Sequence, residues 1–376
     1  MTRVGGFFFL GLLLLATVPA VNSFYGVNGH YFQGGPYNAN LAQQVKDMQN
    51  VGFSSMRLDV FDVTQFRTLV DTVIPSLSPI VVQPILNMWL NVTNENDAYN
   101  QSWAVGYAAG QALGCVVPMV ELLNEPDTAM YQAGYTIGGN GQNPSDYTAG
   151  AAFYRIVRGM LRGMYDGFKA GDPIGQTKIA GPSFSWLHTG FSDMLWNGEE
   201  PDGSTGHPKL TWDVTNWHWY FDMGNITDAG DTYDNVLAYL QSAYGKPIQV
   251  SEIGVQFSQP ETVIDDYITS VVAQYAEMKA KYDLQGINWY ELYDFSPMLD
   301  NPAQYMGIYN TTGIQTTMRA ATMKAAILAF QEPAQNATIP VCVAPTTTAS
   351  SSPASSSTSA ASHLSSLIWW LKWLVF

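Results

Sequence analysis

The chain has 376 residues, 47% of them hydrophobic, and a formal charge of −15 from 31 acidic against 16 basic side chains. So acidic a surface repels phosphate backbones, which argues against a nucleic-acid partner and favours a neutral, hydroxyl-rich ligand. With two cysteines, Cys115 and Cys342, a scaffold stapled by many disulfides is excluded.

In chain order, residues 1–23 begin with Arg3, run through Phe7 to Leu15 and end in small residues around Val21 and Ser23, the pattern of a cleaved secretory signal peptide. Residues 24–340 read as one domain. Eight strand-like segments recur in it: Phe24 to Asn28, Ser54 to Asp59, Ile80 to Asn87, Val116 to Asn124, Thr177 to Pro182, Thr211 to Trp217, Ile248 to Glu252 and Gly286 to Glu291. Between them lie amphipathic stretches such as Asn40 to Asn50, Tyr147 to Lys169 and Pro260 to Tyr282, with apolar residues at helical spacing. Strand and helix alternating eight times predict an α/β fold, a (β/α)8 TIM barrel forming a single catalytic domain. After a last helix ending near Phe330, residues 341–362 turn to Ser, Thr, Ala and Pro and read as a disordered stalk. Residues 363–376 form an apolar tail too short for a stable membrane span. Small residues, a spacer and a terminal apolar tail are the arrangement of a GPI-attachment signal, with an amphipathic membrane-surface tail as the alternative because of Lys372. Sequons begin at Asn91, Asn100, Asn225, Asn310 and Asn336. The expectation is a secreted, monomeric glycoprotein, extracellular or held at the cell surface or wall.

Two carboxyl groups facing one another across a cleft can serve one as a proton donor and the other as a nucleophile or base. In a barrel such groups belong at the C-terminal ends of strands. The fourth segment ends in Glu121-Leu122-Leu123-Asn124-Glu125-Pro126-Asp127, and the seventh in Gln249-Val250-Ser251-Glu252-Ile253-Gly254. Each places a glutamate where a buried strand becomes loop, an unfavourable place for a charge without a task. Asn-Glu-Pro after strand four and a lone Glu after strand seven resemble the clan A glycoside hydrolases, and Glu-X-X-Asn-Glu-Pro is similar to the pattern of families such as 5 and 39 within it.

That resemblance, spanning Phe24 to Phe330, implies a retaining hydrolase of β-linked glycans acting by double displacement, with Glu125 as acid/base and Glu252 as nucleophile. It further implies that Arg57 supports the nucleophile, the alternative being a structural ion pair with Asp59 or Glu121. Asn124 would bind the sugar 2-hydroxyl. His218 and Tyr220, from Asn216-Trp217-His218-Trp219-Tyr220, would touch substrate and nucleophile, unless His218 is a satisfied core histidine. Trp289 would floor the central sugar subsite, or else fill the core. His30, Asn87 and Trp89 follow strands one and three, where loops could line the cleft, and Glu121 reads as a buried support residue pointing inward with Glu125. The 11 tryptophans and 13% aromatic content suit sugar stacking as well as core filling. Sequence spacing shows no metal-ligand cluster, no phosphate-cradling glycine loop and no nucleophile-elbow serine, so no metal or cofactor is expected. The alternatives are a cell-wall transglycosylase acting on β-glucan and a non-catalytic carbohydrate-binding wall protein. A disulfide between Cys115 and Cys342 would tie the stalk to the barrel.

Overall fold

The structure is a computed structural model that describes residues 18–20, 24–172, 174–229, 235–255, 259–294, 305–310, 318–330 and 337–339. The leader apart from 18–20, the stalk, the tail and Cys342 lie outside the described residues.

Apolar, β-branched runs form the parallel strands the periodicity predicts: Tyr25–Gly29, Ser55–Val60, Val81–Leu86, Met119–Leu122, Lys178–Ala180, Thr215–His218, Ile248–Ile253 and Leu284–Trp289. The fifth is broken, resuming at Phe184–Ser185. Neighbouring strands pair in parallel around the set, and the eighth pairs with the first through Ile287 and Tyr25. Across the break, Lys178–Ala180 pairs with the fourth strand, Phe184–Ser185 with the sixth, and Ala180 bridges Val214. The barrel is therefore closed. Outside it, Val18–Ala20 pairs antiparallel with Ala337–Ile339.

Helices Leu41–Val51, Glu95–Leu113, Ala151–Gly171, Glu261–Met278 and Arg319–Phe330 pack around the strands. The helices following strands three and four approach so closely that a Cβ on Gly106 would lie 2.2 Å from the Met164 carbonyl oxygen. One on Gly167 would lie 2.1 Å from that of Trp103, so only glycine permits this backbone contact. Close packing there fixes the ends of strands three and four, from which Asn87 and Glu125 project. No helix among the described residues is long and apolar enough to cross a membrane.

Inside the barrel the layers are polar. Gln83 and Gln249 exchange two hydrogen bonds across the axis, at 3.0 and 2.7 Å. Above them sit Asn28, Arg57 and Glu121, all buried. Polar groups are costly at this depth unless paired, and these are: the two glutamines by hydrogen bonds to each other, the upper three by hydrogen bonds and charge.

Candidate active site

Two strand ends depart from regular geometry, and both carry a glutamate. Strand four stops at Leu122, after which Leu123 and Glu125 adopt left-handed backbone at φ 53 and 42. Such conformations are unfavourable for residues with a Cβ and persist where surrounding structure imposes them. Pro126 then opens the helix Pro126–Gln132 with Glu125 at its N-cap. Glu121 and Glu125 both reach the cleft, though not by the strand alternation expected of them, because the strand ends between the two. The turn also lets the successive residues Asn124 and Glu125 face the same side.

Strand seven carries a bulge. Trp217 pairs with Val250 but His218 with Glu252, so one extra residue lies on strand seven. Gln249 points into the barrel, and strict alternation would send Glu252 outward. The extra residue re-aims it inward.

Arg57 organises what lies between. Its Nε and one terminal nitrogen fork onto Glu121 at 2.7 and 2.6 Å, and Glu121 is fully buried. The remaining N–H groups go to Asn28 Oδ1 at 2.9 Å, Asn124 Oδ1 at 2.8 Å and Glu252 Oε1 at 2.5 Å. All five donors are thus used, and the two readings of Arg57 are both realised: it is ion-paired to Glu121 and it holds Glu252. Because Asn124 accepts from Arg57 through Oδ1, its amide N–H groups are left to face the cleft.

From strand six, Asn216, His218 and Tyr220 share one face by period two. The Tyr220 hydroxyl donates to Glu252 Oε2. His218 Nδ1 lies 2.8 Å from Glu125 Oε1 and 3.4 Å from Glu252 Oε2. Burial pushes the Glu252 carboxyl above the usual carboxylate range and nearby Glu125 adds to this, while His218, Arg57 and the Tyr220 hydrogen bond pull the other way. For His218, burial works to lower the pKa, but the charges of Glu252 and Glu125 overcome it and the net direction is up. Glu125 and His218 thus act on Glu252 in opposite senses, the one disfavouring its charge and the other favouring it.

One ligand atom from each of Glu125, His218 and Glu252 lies within 4.8 Å of the others. The fold therefore creates a metal-like spacing that the linear sequence lacks. A cation there would have to compete with the guanidinium already bonded to Glu252, so the donor set is better matched to proton transfer than to a metal.

A second polar wall faces this one. His30 lies 3.2 Å from Asp59 through Nδ1 and 3.2 Å from Glu291 through Nε2. Asn87 donates to Asp59 at 3.1 Å, and the Trp89 indole donates to Asn87 at 3.1 Å. Trp89 stacks near-parallel on Phe153, with centroids 6.1 Å apart. His30, Asn87 and Trp89 are thus links in one network, through Asp59 and Glu291, two residues to which the sequence motifs give no site role. Their signal was strand alternation: Asp59 shares the face of Arg57.

Trp289 is where the structure corrects the sequence reading. It is 1% exposed, donates to the Met306 carbonyl at 2.9 Å, and sits 6.2 Å from the ring of Tyr267 on a surrounding helix. With Ile287 it lines a core void beside Met323. Period two explains this: Ile287 and Trp289 face the helices, whereas Asn288 and Tyr290 face inward. The half-buried aromatic at the cleft is Tyr290, edge-on to His30 at 5.4 Å and to Tyr220 at 6.4 Å. Those two contacts set its ring between the two walls, where burial raises its pKa and the charges of Glu291, Glu252, Asp59 and Glu125 add to the effect.

No family model matches the sequence, and no curated protein matches it either. Solved structures do match in shape. The β-glycosidase of the hyperthermophile Thermosphaera aggregans aligns with a TM-score of 0.59 at 13% identity, covering 83% of this chain and 97% of its own. The hyperthermophilic β-glucosidase of Pyrococcus furiosus aligns at 0.58 and 13% identity, covering 85% and 97%. A β-glucosidase of Exiguobacterium marinum aligns at 0.58 and 12%, covering 83% and 100%. The chain has the fold of these barrels. At such identity the likeness speaks for architecture, and the chemistry rests on the residues described above.

Proposed function

We propose that the protein is a retaining glycoside hydrolase acting on neutral, β-linked glycans. The observation that carries this reading is the facing pair Glu125 and Glu252 at the ends of strands four and seven, with carboxylate oxygens within 4.8 Å. Retaining enzymes hold their two carboxyl groups about 5 to 5.5 Å apart, whereas inverting ones need about 6.5 to 9.5 Å to seat a water. In the first step Glu125 gives its proton to the glycosidic oxygen as the bond from that oxygen to C1 breaks, and Glu252 bonds to C1. In the second, Glu125 takes a proton from water while the water oxygen bonds to C1 and the ester to Glu252 breaks, restoring both groups.

Arg57 and Tyr220 hold the Glu252 carboxylate in place and stabilise its charge when it leaves C1. Asn124 offers its amide to the sugar hydroxyl nearest the reacting carbon. Since every Arg57 donor already has a protein acceptor, it has none to offer a sugar carboxylate or phosphate, which supports a neutral substrate. We also propose secretion and a C-terminal GPI anchor, on the composition of the two ends; Asn91, Asn100 and Asn225 are exposed and open to glycosylation.

Proton NMR of the first sugar released from a β-linked substrate tests the mechanism. Retention gives the β-anomer first. Glu125→Ala should regain turnover of an activated aryl glycoside with azide and yield the β-glycosyl azide, and Glu252→Ala should yield the α-azide. Initial release of the α-anomer from the unmutated enzyme would remove the double displacement and both assigned roles.

A further inference from the structure

The end of the barrel opposite the two glutamates is also concave. Its N-terminal mouth holds a cavity of about 180 Å³. A water molecule occupies about 30 Å³ of liquid, so the space suits one small organic molecule. Barrel interiors are ordinarily filled by layers of bulky branched side chains. Here Ser55, Gln83 and Gln249 stand at the inward positions around the cavity, all three buried.

Its roof is the pair Gln83 and Gln249, which exchange one hydrogen bond in each direction across the axis. Each amide therefore keeps one N–H and one carbonyl lone pair for a further partner. Val81, Met119 and Val214 form the apolar side. Among the described residues lining the space, only Lys178 carries a charge, and it is exposed at the rim.

Two asparagines flank the cavity with unused polar atoms. Asn216, 1% exposed, follows Val214 by two residues and pairs in register with Gln249, yet neither its Oδ1 nor its Nδ2 has a partner among the described residues. Asn288 Oδ1, buried as well, is likewise unpartnered. It shares the side-chain space of Gly26 with Ser55: a Cβ there would lie 2.2 Å from Asn288 Oδ1 and 2.3 Å from Ser55 Oγ. Buried polar groups are as a rule hydrogen-bonded, so two such asparagines beside one cavity point to a polar occupant.

Donors and acceptors are balanced around it. An anion would meet the carbonyl oxygens of both glutamines, a cation would meet their N–H groups, and an apolar molecule would leave them all unsatisfied. A hydroxyl both donates and accepts. A small compound bearing several hydroxyls also has C–H faces for Val81, Met119 and Val214. No residue named here belongs to the set around Glu125 and Glu252, which lies at the other ends of the strands.

We propose that the N-terminal mouth of the barrel is a second binding site, which takes a small neutral polyhydroxy compound of about monosaccharide size. It stands independently of the hydrolytic reading. The test is methyl NMR of the full chain labelled in methionine and valine, titrated with glucose, mannose and myo-inositol, with gluconate as the anionic comparison. The Val81, Met119 and Val214 methyl signals should move together and saturably with at least one neutral compound, and not with gluconate. In the double variant Gln83→Leu, Gln249→Leu both partners of the pair become apolar, so neither amide is left unpaired, and half-saturation should need at least about tenfold more ligand. Methyl signals remote from the cavity show whether that variant is folded. If it is not, Met119→Trp, which fills the space, takes its place and should abolish the shifts at Val81 and Val214. No saturable shift with any of the three neutral compounds, or an equal response to gluconate, overturns the proposal. Shifts transmitted from the cleft would survive the substitutions unchanged, and that survival overturns it too.

Discussion

Replacing His30 with glutamine should destabilise the protein at mildly acidic pH and hardly at all at high pH. His30 is buried, which works to lower its pKa, yet its hydrogen bonds to Asp59 and Glu291, together with their charges, raise it from 6.5 to about 9. A group whose pKa is higher in the folded state contributes stability that is fully present below its unfolded value and lost as pH rises through the folded one. For His30 the full contribution therefore lies below 6.5 and disappears above about 9. The separation of those values corresponds to about 3 kcal/mol. Asp59 is shifted down although burial opposes it, because of His30 chiefly, and Arg57 and Asn87 also. Its contribution is present above its ordinary carboxylate value and is lost as pH falls through the lowered one. That is largely the same bond seen from its other end and is not added. Urea denaturation of wild type and His30→Gln at about pH 6 and about pH 10 gives two stability losses, and the first should exceed the second by about 3 kcal/mol. Equal losses at both pH values would mean that His30 is neutral in the fold and that hydrogen bonding alone holds Asp59 and Glu291 together.

Arg57→Lys keeps the charge but offers three N–H groups in place of five and cannot fork onto Glu121; we expect a loss of about 3 kcal/mol and at least about a hundredfold fall in kcat/KM. Unchanged melting and kinetics would show the guanidinium geometry to be dispensable. Trp289→Phe should lower the melting temperature with little change in KM, whereas Tyr290→Ala should raise KM with little change in melting; the opposite pattern, read by calorimetry and steady-state kinetics, would restore Trp289 to the cleft. Phosphatidylinositol-specific phospholipase should release the protein from cells, and finding the peptide ending in Phe376 on the mature chain would exclude the anchor.

Strand number and order were legible in the sequence because each barrel strand is a short apolar run whose period differs from that of the helices between. The pair Glu125 and Glu252 was legible too, since a carboxylate at the end of a buried run is unfavourable unless partnered, and Asn124-Glu125-Pro126 marks a sharp exit from a strand. His218 and Tyr220 were assigned from the resemblance, and period two accounts for their sharing one face. The same alternation puts Tyr290 rather than Trp289 on the inward face, whereas the resemblance had pointed to the tryptophan.

What only the tertiary structure decided are features that depend on contacts distant in sequence. The bulge at Ser251 and Glu252 arises from pairing with strands six and eight, and no local pattern announces which residue is extra. The five bonds of Arg57, itself on strand two, reach partners from strands one, four and seven, so its double role follows from barrel closure. The left-handed backbone at Leu123, Glu125 and Trp186 is unfavourable for each of these residues taken alone. Tertiary contacts imposed it against local preference, and local preference is what a sequence reports most directly.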